Sequence, residues 1–120
     1  MTRQRFPRSV YGVGADPDPR FSLANERTFL AWTRTALALL AGGVVLEGFD
    51  LGLNEALRLA ASLTLILAGI AIPALSWFEW MAAERALRMS QPLPGARTSA
   101  VLAVVVIVVG VLVLLGVLVP

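Results

Sequence analysis

The 120-residue sequence contains no cysteine, no histidine and no lysine. Without cysteine there is no disulfide and no thiolate nucleophile, and without histidine the common imidazole ligand for zinc or haem is missing, as is the usual general acid–base group. A Ser-Lys pair is excluded too. The glutamates Glu26, Glu47, Glu55, Glu79 and Glu84 form no acid–base pair at a recognisable spacing, and no Gly-rich phosphate loop follows a strand. The expectation is a protein that is not an enzyme, with no metal and no cofactor.

Charge is scarce as well: 15% of residues are charged and 58% are hydrophobic, with a mean hydropathy of +0.78. That balance is too apolar for an ordinary soluble domain and indicates one small integral membrane domain. All ten basic residues are arginine. Arginine keeps its charge and grips phosphate or carboxylate with two parallel hydrogen bonds, but in a membrane protein the placement of arginines chiefly sets orientation. A nucleic-acid partner is not expected.

Residues 1–17 hold Arg3, Arg5 and Arg8, interruptions at Pro7, Gly12 and Gly14, and no apolar run. They are expected to form a flexible cytoplasmic tail, with no cleaved secretory peptide. Lipid-headgroup binding by this tail is an open alternative. Residues 18–120 form the membrane domain. Asp18 can accept from the first amides of a helix, and Pro19 suits its first turn. Apolar spans follow at about 28–46, 56–78 and 100–119, each close to the ~20 residues needed to cross a bilayer. Pro73 is expected to kink the second span, Trp77 and Trp80 to sit in an interfacial aromatic belt, and Thr98 or Ser99 to cap the third helix. The first connection carries Glu47, Asp50 and Glu55 against Arg58, whereas Arg85, Arg88 and Arg97 lie in the second. The positive-inside rule then gives an all-α membrane protein of three transmembrane helices, amino terminus in and carboxyl terminus out.

The informative stretch is Asn25-Glu26-Arg27-Thr28-Phe29-Leu30-Ala31-Trp32-Thr33-Arg34. Arg27 and Arg34 are separated by two helical turns, so they share a face, and Arg34 lies roughly 10 Å deeper. Ala31, Thr35, Ala38 and Gly42 make a small-residue stripe beside them that permits close helix approach. An arginine inside an apolar span costs at least ~2.5 kcal/mol unless it is paired or hydrated. For Arg27, the readings are a lipid-phosphate anchor or a group reaching a neighbouring subunit. For Arg34 they are an ion pair, with Glu79 on the antiparallel second helix as the candidate partner, or snorkelling, or the lining of an anion path.

The motif Asn25, Glu26, Arg27, Thr28, Phe29, Leu30 and Trp32, followed by Gly42-Gly43 and two further spans, resembles the YidH-like family of small bacterial inner-membrane proteins, a domain of unknown function. The resemblance implies a multi-pass protein of the bacterial inner (cytoplasmic) membrane. This family is in turn similar to the membrane domain of the eukaryotic vacuolar transporter chaperone, where several copies surround a polyphosphate path lined by basic residues. That similarity implies an anion-binding or pore-lining role for Arg27, and less directly for Arg34. Soluble polymerase domains of the chaperone have no counterpart in this sequence. Two function classes stand open. One is a homo-oligomer giving phosphate-like anions a path through the bilayer; the other is an assembly subunit that docks another membrane protein.

Overall fold

The computed structural model describes residues 5–120, so Arg3 of the expected tail lies outside the described residues. The described chain is helical: α1 (Arg8–Tyr11), α2 (Pro19–Gly48), α3 (Glu55–Arg88) and α4 (Arg97–Leu118). The last three are long and apolar enough to cross a membrane. At ~1.5 Å per residue, α2 and α3 are about 45 and 51 Å long, against a hydrocarbon core of ~30 Å, so both extend beyond it. The molecule is accordingly a rod, 65 × 24 × 20 Å. Its centre is α3, which packs against α1, α2 and α4, while α2 and α4 make no close backbone contact.

Each long helix begins with a carboxylate or amide on its exposed amides. Asp18 accepts from the backbone N–H of Arg20 at 2.9 Å, with Pro19 in the first turn, and Asn54 accepts from that of Leu57 at 3.2 Å. For α4 the cap comes from another helix. Ala96 stands at the N-cap and cannot supply one, so Glu79 of α3 accepts from the Thr98 N–H at 2.8 Å. The expected cap by Thr98 or Ser99 is therefore replaced, because α4 starts at Arg97. At the far end, the Asn54 N–H donates to the Gly116 carbonyl at 3.0 Å and its side-chain amide to that of Pro120 at 3.2 Å. Polar contacts thus hold α4 at both ends, and between them most of its valines are exposed, with Val105, Val109 and Val113 half-buried.

The second helix is longer than its apolar span. It runs unbroken through Pro73 and on to Arg88, ten residues past Phe78, where the polar connection was expected to begin. Ile72, Ser76, Trp80, Glu84 and Arg88 recur every four residues along one stripe, and their exposures are 0, 2, 8, 2 and 9%. Burial of that stripe against α2 and the amino-terminal segment extends the helix past the apolar region.

Between α2 and α3 the backbones approach closely. A Cβ on Gly43 would lie 2.6 Å from Ile66 Cγ1 and 3.1 Å from the Ser62 carbonyl oxygen; one on Gly69 would lie 2.6 Å from Leu40 Cγ and 3.1 Å from the Ala36 oxygen. The Ser62 hydroxyl donates to the Gly43 carbonyl at 2.8 Å across this seam. The packing face of α2 is therefore Ala36, Leu40 and Gly43. Along the stripe expected to pack, Ala31 and Ala38 are exposed and Thr35 and Gly42 half-buried. It lies outside the seam because Gly43 faces α3, while a Cβ on Gly42 would make only an ordinary 3.5 Å contact with Leu65.

Residues 5–17 also differ from the expected mobile tail. They form a strap against the end of α3, with Pro7 and Val10 buried. The Ala15 N–H donates to the Arg88 carbonyl at 3.0 Å. Gly14 takes a φ of 61°, and a Cβ there would lie 2.1 Å from the Arg88 oxygen, so this close pass requires glycine. The buried Pro7 and Val10, with Tyr11 set edge-on to Trp80 at 6.4 Å, are what dock it.

Gly69→Val should overpack the α2–α3 seam and lower stability by about 1–3 kcal/mol. Gly110→Val, where nothing lies within 4 Å of the added Cβ, should leave the thermal midpoint in detergent close to the parent value.

Candidate functional site: the polar head and the arginine face of the first long helix

At the strap end, α2 and α3 meet through a polar and aromatic cluster. Glu84 is 2% exposed. Ser22 donates its hydroxyl to one carboxylate oxygen at 3.1 Å and Asn25 its amide to the other at 3.3 Å. The same Asn25 nitrogen donates to the Trp80 carbonyl at 3.1 Å. One turn deeper, Phe29 sets its edge on Trp77, with centroids 5.9 Å apart, and Trp77 stacks on Trp80 at 5.0 Å. Thr28, Phe29, Trp32 and Glu79 line a cleft of about 380 Å³ between α2, α3 and the connection to α4.

The strap is clasped through Asp16. Its carboxylate takes Arg88 at 2.5 Å and Arg5 at 2.6 Å, while Arg88 also donates to the carbonyls of Val13 at 2.8 Å and Tyr11 at 3.1 Å. Hydrogen bonds from Arg88, then from Arg5, hold the Asp16 carboxyl below the ordinary carboxylate range.

The motif residues divide between two sides of α2. Asn25, Phe29 and Trp32 face the cluster or the cleft. Arg27, Leu30 and Arg34 are exposed, and Glu26 is exposed at the rim. Arg27 and Ala36 are nine positions apart, about two and a half helical turns, so they point to opposite sides. Seating Ala36 on α3 therefore turns the line of Arg27, Ala31, Arg34 and Ala38 away from it. Among the described residues no ion pair reaches Arg27 or Arg34; the pairs are Arg5–Asp16, Arg20–Asp18, Arg58–Glu47 and Arg88–Asp16. The expected Arg34–Glu79 pair is not formed. Glu79 sits on the packed side and accepts from the Thr98 N–H at the start of α4, while Arg34 is on the far side of α2.

Comparison with known sequences places the family match on the α2–α3 segment. The family described as a domain of unknown function, DUF202, matches residues 20–86, more than half the chain and nearly all of α2 and α3. The chain belongs to this family. Inner membrane protein YidH of Escherichia coli K12 is 38% identical over 104 residues, covering 85% of this chain and 90% of YidH. An uncharacterized protein of Mycobacterium tuberculosis H37Rv is 46% identical over 101 residues, 82% of each chain. No solved structure matches. Together with its three candidate spans, this makes the chain a multi-pass inner-membrane protein. The DUF202 match ends before α4, the helix that α3 holds by its ends.

Ser22, Glu84, Arg88, Asp16 and Tyr11 were not legible as site residues individually. The four-residue repeat through Ile72, Ser76, Trp80, Glu84 and Arg88 was the available signal, since a carboxylate and a guanidinium on a continuing apolar stripe mark a helix buried past its membrane span.

Because the Asp16 pKa is depressed in the docked state, its contribution is complete above the pKa of the free carboxyl, ~3.9, and is lost as pH falls through the lower docked value. Hydrogen exchange of the Ala15 amide should stay slow relative to the intrinsic rate from pH 8 to 5, and the strap should release only in strong acid. Asp16→Asn should speed that exchange at pH 7.

Proposed function

We propose that the protein acts as a homo-oligomer in the inner membrane, with the exposed arginine faces of α2 turned toward one another to give phosphate-like anions a path, and not as an enzyme. The observation that carries this reading is the outward line of Arg27, Ala31, Arg34 and Ala38. The Phe29–Trp77 contact marks the aromatic belt, and Arg34 lies five residues beyond Phe29, roughly 7–8 Å deeper. Left against lipid, such a charge costs ~2.5–3.5 kcal/mol on insertion scales. Alanines on either side of Arg34 let a second protein surface come close. One copy cannot enclose a path, since α2 and α4 both lie against α3 alone, so convergence needs several copies.

The strap end is assigned to the cytoplasm and the carboxyl terminus to the opposite side, in keeping with the arginine excess around both ends of the polar head. Likeness to the membrane domain of the vacuolar transporter chaperone favours polyphosphate among the candidate anions. A second reading has the same face bind carboxylates of a different membrane protein, making this chain an assembly subunit. Exposed Arg85, which donates to the strap carbonyl of Ser9, and exposed Arg97 at the start of α4 favour it, because they add to the basic surface.

Purified oligomer in liposomes should pass polyphosphate or smaller anions, and Arg27→Ala and Arg34→Ala should each depress the flux by about tenfold or more. A verified oligomer with no flux above empty liposomes, together with a distinct partner recovered by cross-linking in native membranes, would establish the assembly reading instead.

A further inference from the structure

Between the strap, α2 and α3 lies a second cleft, of about 430 Å³, whose charged lining is Arg5, Asp16, Glu26, Glu84 and Arg88. Its cations are already committed. Arg5 and Arg88 both bind Asp16, and both lie over the Tyr11 ring, 4.3 and 5.4 Å from its centroid. Two guanidiniums against three carboxylates leave the lining one charge negative: the arginine–Asp16 cluster is net positive by one, and Glu26 and Glu84, which no arginine among the described residues reaches, carry two negative charges. Glu26 is at the rim; Glu84 is at the base, 2% exposed.

Among the described residues, Glu84 is a buried carboxylate facing only neutral donors. Ser22 and Asn25 each give one hydrogen bond, one to each oxygen, and a carboxylate accepts about four. Among the described residues no guanidinium lies within ion-pair distance of it. A desolvated carboxylate without a cation is costly, and further acceptor capacity opens into a cleft that already carries a second carboxylate.

We infer that this cleft binds a primary ammonium group, held by Glu84 at its base and Glu26 at its rim. An ammonium offers three N–H donors to the two carboxylates. A quaternary ammonium fits less well, since it donates no hydrogen bond and needs free aromatic faces. Here the Tyr11 ring is covered by the arginines, and Trp80 is stacked on Trp77. The cleft lies about one helical turn outward of the Phe29–Trp77 contact read as the aromatic belt, on the side where phospholipid headgroups lie. The ammonium is that of an ethanolamine headgroup or of a free amine. The site is on the α3 side of α2, away from Arg27 and Arg34, and is independent of any assembly through them.

The test uses full-length protein purified in detergent and depleted of lipid. Native mass spectrometry reads retention of phosphatidylethanolamine, phosphatidylcholine and phosphatidylglycerol of identical acyl chains, and thermal unfolding is measured with and without free ethanolamine. The ethanolamine lipid should be retained over the choline lipid by about tenfold, the scale of one charge-assisted hydrogen bond. Glu84→Gln and Glu26→Gln should each abolish the preference. Glu26 is exposed, so its variant keeps the packing and decides the matter even if Glu84→Gln fails to fold. Stabilisation by free ethanolamine that is lost in Glu26→Gln, without a lipid preference, assigns the site to a soluble amine. No response to either probe, or a lipid preference that survives Glu26→Gln, overturns the inference.

Discussion

The close approach of α2 to α3 fixes the rotation of α2, and with it the position of every charged group on that helix. Gly43 against Ser62 and Ile66, and Gly69 against Leu40 and Ala36, are approaches so close that even a Cβ on either glycine would force a shift of side chains or backbone. In a bilayer, where lipid is as apolar as leucine, such close backbone packing supplies much of helix association. Once this face is seated, Asn25 and Phe29 must meet α3, and Arg27 and Arg34 must face away. The charged helix start and the exposed arginines are two consequences of one contact.

The polar head depends on the same rotation. Ser22 and Asn25 arrive beside Glu84 because they share the packed side of α2 with Ala36, and the Asn25 amide ties the Trp80 carbonyl into the cluster. Above it, Asp16 and Arg5 of the strap join Arg88 of α3, so among the described residues the head contains opposed charges that are paired at the strap, whereas Glu84 has no ion-pair partner. α4 depends least on this arrangement. It touches α3 along one side and is held by Glu79 and Asn54 at its ends.

Much of the architecture was legible because the apolar runs are long and the connections are marked by glycine, proline and charge. Asp18 and Pro19 announced the start of α2, and the three spans followed from hydropathy. Arg27 and Arg34 were placed on one face by spacing alone. Hydropathy did not reveal the continuation of α3 to Arg88, because charged residues there hide a buried four-residue stripe. Nor did spacing choose between neighbouring small-residue stripes: Gly42 and Gly43 are adjacent, and only the seam with Ser62 and Ile66 selects the second. That choice moved Glu79 out of reach of Arg34. The strap was missed because its few apolar residues are scattered among arginines, and their partner surface is formed only in the folded helix pair.

The central claim is that the face of α2 opposite α3 meets another copy of the same chain. Since the sequence has no cysteine, a single Ala38→Cys substitution introduces the sole thiol, on the arginine line. Oxidation in native membranes should yield a disulfide-linked homodimer from Ala38→Cys far more readily than from Leu67→Cys, which is equally outward-facing but on α3. Equal cross-linking at the two positions, or none at Ala38→Cys, would contradict the account.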